Sequence, residues 1–142
     1  MKKLVVVVGI VLSTAFNAFS QKLIIHVFSK TELVSFRTTT IDSVLLNPDI
    51  DYGIDTTHTN YVIDFKQKTS TYFVNNIQID ISPIKISKIN ADVLVIKILE
   101  GGFDYGLVVN TNLKNESVTW FWFDAMATTV KRIDQFRIEK PI

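Results

Sequence analysis

Short runs in which every second residue is apolar recur along this chain, and that period of two constrains its fold more tightly than any other feature. Tyr61, Ile63 and Phe65 alternate with Val62, Asp64 and Lys66, and Ile77, Ile79 and Ile81 alternate with Gln78, Asp80 and Ser82. Trp120 and Trp122 fall on one face of a run whose other face carries Phe121 and Phe123. Further runs cover Leu23 to Ser29, Leu33 to Thr40, Thr71 to Val74, Ile84 to Ile86, Val93 to Leu99 and Phe103 to Val109. The segment 129–138 is read as a closing strand, because a partner for 118–123 buries that segment's aromatic rings. Glu100-Gly101-Gly102 is a hairpin turn, and Pro83 is expected to end the strand before it, since it donates no ladder hydrogen bond. The pattern predicts an all-β fold of about eight to ten antiparallel strands with little helix. It leaves barrel and sandwich open.

The N-terminus reads as a secretory leader. Lys2 and Lys3 precede the apolar run Leu4 to Leu12, and Ala18-Phe19-Ser20 places small residues before a cut at Gln21. Ser13, Thr14 and Asn17 interrupt the run well short of the about 20 apolar residues that a spanning helix needs. The expectation is a cleaved signal peptide over 1–20, no membrane span after cleavage, and a secreted or periplasmic protein made of one β domain over 21–142. The absence of cysteine throughout the chain means that stability rests on burial rather than disulfides, and it fits a bacterial envelope or secreted protein.

Charge narrows the partners. Of 15 basic and 14 acidic residues, the leader holds Lys2 and Lys3 and no acid, so the remainder carries 13 against 14. That balance offers no electrostatic footprint for nucleic acid or an anionic membrane.

The longest stretch without alternation is Ile41 to Asn60, expected as an irregular loop with one helical turn near Ser43 to Leu46 stopped by Asn47-Pro48. Its acids Asp49, Asp51 and Asp55 alternate as calcium ligands do, but Gly53 and Ile54 fall out of place for such a loop and no glutamate closes it. We expect no metal and no cofactor there. His26 sits within an apolar strand, whereas His58 neighbours the acidic stretch, where Asp55 is its nearest carboxylate in sequence. Catalysis finds little support. No serine stands in a Gly-x-Ser-x-Gly turn, there are only two histidines, and the Glu100 and Asp104 carboxylates flank a hairpin.

What remains is aromatic density. Trp120 and Trp122, with Tyr105 or Tyr72 across strands, form either core filling or a stacking surface. The chain is therefore expected to bind a ligand or partner without transforming it, the ligand being a small apolar molecule, a glycan or an envelope protein. The expected contacts are Trp120, Trp122 and Tyr105, with His58 and Asp55 at the rim. A structural or interaction module pairing through an edge strand at Ile77 to Ile81 is the alternative, and an extracytoplasmic hydrolase is the third.

Overall fold

A run of fourteen residues, Lys22–Ser35, forms a single strand, β1, long enough to take partners along both edges over its whole length. One edge pairs with the last strand from Ile24 opposite Glu139 to Ser35 opposite Thr128. The other edge serves two strands in succession. The structure, a computed structural model, describes residues 22–37 and 40–140, so the leader expected over Met1 to Ser20 lies outside the described residues.

After β1 come a short helix, α1 (Ile41–Leu46), and the strands β2 (Ile50–Asp55), β3 (Thr59–Asp64), β4 (Thr69–Val74), β5 (Ile77–Lys88), β6 (Val93–Ile98), β7 (Asp104–Asn110), β8 (Ser117–Phe123) and β9 (Thr128–Glu139). Neighbours pair in the order β2-β1-β3-β4-β5-β6-β7-β8-β9, and the β1–β9 pairing closes the sheet. The molecule is a closed antiparallel barrel of eight strands, with β2 as one extra strand alongside β1. Closure removes most of the edges that an open sheet exposes, leaving the far side of β2 and the first half of β5 unpaired among the described residues, and it decides between the two architectures that alternation left open.

The two runs expected around Leu23 and Leu33 are one strand, bent by irregular register at Ser29 rather than broken. Pro83 does not end β5. It lies where that strand exchanges partners, pairing with Thr69 while β6 pairing begins at Ile84. Its carbonyl accepts from Leu99 N at 2.8 Å, so the missing N–H falls where the β6 ladder only starts. Ile50 to Asp55, expected as loop, is a strand. Its side chains beyond Ile50 are exposed, which is why no apolar alternation announces it.

Inward-facing aliphatics form the core: Leu23, Ile25, Val27, Ile63, Ile84, Ile96, Leu107, Val109 and Val118 are all less than a tenth exposed. They plug the barrel across its middle. Gly106 makes the wall close enough for this, since a Cβ there would stand 2.0 Å from the Ile96 carbonyl oxygen. A second, smaller cluster lies outside the barrel, where Val44 of α1 is fully buried against Leu33 and Val130. This explains why β1 and β9 carry apolar residues on both faces.

Turns alternate between the two ends of an up-and-down barrel. The β4–β5, β6–β7 and β8–β9 turns lie at one end, called here the mouth. Lys22, where β1 begins, and Glu139, where β9 ends, lie at the other.

Candidate functional site

Above the aliphatic plug, the mouth end opens as a cup of about 490 Å³, within the range of small-molecule sites. Strand alternation builds its wall. Tyr61 sits opposite Tyr72, Tyr105 opposite Trp122, and Leu107 opposite Trp120, so each ring follows the parity of the buried aliphatics beneath it. The rings form two contacting groups. Tyr61 and Tyr72 lie with centroids 4.9 Å apart. Trp122 lies 5.2 Å from Tyr105, 6.2 Å from Trp120 and 4.8 Å from Phe103, at the mouth.

Polar groups are set among the rings. Ser70, Asp80, Ser82, Glu100 and Lys131 line the same cavity. Ser82 Oγ donates to Asp80 at 2.7 Å, and the Tyr105 hydroxyl donates to Glu100. Burial first, and the Glu100 carboxylate second, hold the Tyr105 hydroxyl protonated well above the ordinary tyrosine range. Burial does the same for Tyr61. Lys131 lies over Trp120, its Nζ 4.5 Å from the ring centroid, a cation–π contact. Burial lowers its proton affinity, an effect that Glu32 partly opposes.

Three of the residues expected from the sequence, Trp120, Trp122 and Tyr105, converge on this cup. Asp55 does not line it. Asp55 sits beside it in a smaller cleft shared with Lys30, Glu32 and Lys131, 3.5 Å from Lys30 Nζ. His58 is placed elsewhere. It belongs to the parity of Asn60 and His26, outside the barrel, and stacks on Phe28 with centroids 5.0 Å apart. Its neighbour in that stack, His26, bonds Asn60 Oδ1 at 2.9 Å and Glu139 Oε1 at 3.0 Å. Adjacency to Asp55 in sequence was misleading because β2 ends at Asp55, and His58, in the link to β3, takes the outward parity of Asn60.

The alternating acids do not converge. Asp49 accepts from Phe36 N at 2.8 Å and Ser35 Oγ at 3.0 Å, Asp51 from Gly53 N at 2.7 Å, and Asp55 from Thr57 N at 2.8 Å. Asp51 and Asp55 each close a local turn, Asp49 ties the segment back to the end of β1, and among the described residues no three acids or histidines gather as a metal site. The Glu100 and Asp104 carboxylates also part company. Glu100 faces the cup, and Asp104 pairs with Lys97 at 2.9 Å on the outer wall.

Ile77 to Ile81 departs from its simple alternation. A bulge opposite Tyr72 and Phe73 makes Ile79 an extra residue, and Ile79 joins Asp80 and Ser82 at the mouth. Tyr61, Ser70, Asp80, Ser82 and Lys131 were not anticipated as site residues. The parity that places Tyr61 with Ile63, and Lys131 with Ile133, was the available signal.

No protein-family model, curated protein or solved structure matches this chain.

Proposed function

We propose that this is an exported binding barrel whose cup holds a small, largely apolar molecule with a flat ring, and that it releases that molecule unchanged. The observation that carries this reading is the cup itself. Five aromatic side chains, Tyr61, Tyr72, Tyr105, Trp120 and Trp122, face a cavity of about 490 Å³ above a solid aliphatic plug. Rings used only to fill a core leave no such space, because interiors pack to crystal-like density. Flat rings offer stacking faces, and the hydroxyls and charges among them fix orientation, the usual division of labour in a ligand site. Export rests on the leader pattern of residues 1–20.

The test is calorimetric titration of the protein from residue 21 onward with 2-naphthylmethanol, a neutral ring that fits the cup. Saturable binding that weakens at least about tenfold in Trp122→Ala, and not in the outer-wall variant Phe28→Ala, is expected. No binding up to the solubility limit, or equal loss in both variants, overturns the reading.

A second reading has its own observation. Among the described residues, β5 from Ile77 to Ser82 pairs only with β4, because β6 pairing starts at Ile84. Ile77 is 67% exposed and Ile81 55%. Such a strand edge suits addition of another strand. Light scattering discriminates: a mass that doubles with concentration and stays monomeric in Ile81→Lys supports an interaction module, and a strict monomer removes it.

A further inference from the structure

The charged groups of the cup differ in whether the protein already engages them. The acids are taken: Glu100 receives the Tyr105 hydroxyl, and Asp80 receives Ser82 Oγ. The cation is not. Lys131 Nζ makes no hydrogen bond among the described residues, and its one ion pair, to Glu32 Oε2, is 3.9 Å long, beyond hydrogen-bond reach. Its side chain is only 30% exposed. Of the other charges near it, Asp55 favours the ammonium and Lys30 opposes it, but Asp55 is itself engaged by Lys30 at 3.5 Å. An ammonium held against an aromatic face with no protein acceptor within hydrogen-bond reach is a ready partner for an anion.

A second group makes a related demand. Ser70 is 3% exposed, and its Oγ is buried with no protein partner. It lines the same cavity, where an alternating strand turns it inward with Tyr72. Both groups donate hydrogen bonds, and neither is served by the wall. The lowered proton affinity of Lys131 agrees with an ammonium that its surroundings do not fully compensate.

We propose that the molecule taken by the cup is an acid, a flat apolar ring system bearing a carboxylate, and that Lys131 captures the carboxylate while the rings hold the apolar body. This rests on the cup reading given above and specifies its ligand class. The Trp120 face beneath Lys131 makes one continuous surface for both parts of such a ligand. A cationic ligand would meet Asp80 and Glu100, each holding only one hydroxyl donor, and the ammonium probe below tests for it.

The experiment compares three probes sharing one ring, 2-naphthoate, 2-naphthylmethanol and 2-naphthylmethylammonium, by calorimetry at pH 7. Charge-assisted pairing in a half-buried site predicts that naphthoate binds about tenfold or more tightly than the alcohol. In Lys131→Met the ratio of the two affinities falls to about one, and in Lys131→Arg it is retained. Using the ratio cancels any change in cup shape common to both probes. Naphthoate no tighter than the alcohol overturns the inference while leaving the cup reading standing. So does a preference that survives in Lys131→Met, or the ammonium probe binding tightest. Failure of every probe to bind overturns the cup reading, and the inference falls with it.

Discussion

Gly106→Ala is the perturbation whose effect is most directly fixed by the barrel wall. The added methyl carbon would stand 2.0 Å from the Ile96 carbonyl oxygen and 3.0 Å from Ile96 C and Lys97 Cα. All three are backbone atoms, so no side chain can swing aside. Reaching an ordinary carbon–oxygen contact of about 3.3 Å requires β6 and β7 to separate by more than an ångström. That separation breaks ladder hydrogen bonds around the Lys97–Gly106 pair. Each is worth about 1 kcal/mol, and overpacking adds about 1–3 kcal/mol. The expected loss is about 3 kcal/mol, read as a lower urea midpoint at unchanged slope and a Tm about 10 °C lower. Gly102→Ala is the comparison. Its φ is +78° with nothing within 4 Å of the new carbon, so only the left-handed backbone penalty of about 1 kcal/mol applies. If Gly106→Ala costs no more than Gly102→Ala, the close approach of β6 and β7 is wrong, and with it the placement of Tyr105 and Leu107 on either side of Gly106.

Three further outcomes are expected. Hydrogen bonds from Phe36 N and Ser35 Oγ hold the Asp49 carboxyl below the usual carboxylate range, so its contribution is present at neutral pH and vanishes as acid titrates it through that lowered value. Urea midpoints of Asp49→Asn and wild type should differ at pH 7 and draw together as the pH falls below the ordinary carboxylate range. Lys131 has the opposite signature, because burial disfavours its charged form. Wild-type stability relative to Lys131→Met should therefore rise as pH climbs through the lowered lysine value, and a gap unchanged between about pH 7 and 10.5 would contradict that. Val44→Ala removes the one fully buried side chain of α1. It should cost about 2 kcal/mol and expose the Asn47 amide, bonded to Ser43 O at 3.0 Å, to rapid hydrogen exchange while the barrel stays protected.

Strand alternation was legible wherever one face is buried, as at Tyr61 to Phe65 and Val118 to Phe123. It was silent at Ile50 to Asp55, where β2 lies alongside β1 outside the barrel and almost nothing is covered. Barrel closure was illegible for a different reason. It is made by β1 and β9, about a hundred residues apart, and local pattern carries no information about such a pairing. The site divides in the same way. Trp120, Trp122 and Tyr105 come from one hairpin, β7–β8, and could be grouped from the sequence alone. Lys131 faces Trp120 across the next hairpin, β8–β9, whereas Tyr61, Ser70 and Asp80 join them only through the rest of the barrel. His58 shows the converse error, since nearness along the chain to Asp55 says nothing about which side of the wall it faces.

The register that seals the barrel, Ile24 opposite Glu139, also sets Lys22 and Lys140 side by side at the end remote from the mouth. An affinity tag or surface anchor attached at either point therefore projects away from the cup and leaves its opening unobstructed. The same adjacency makes the chain suited to circular permutation. A short linker joining Lys22 to Lys140, with a new opening cut in the Lys66 to Lys68 turn, preserves every strand pair around the cup.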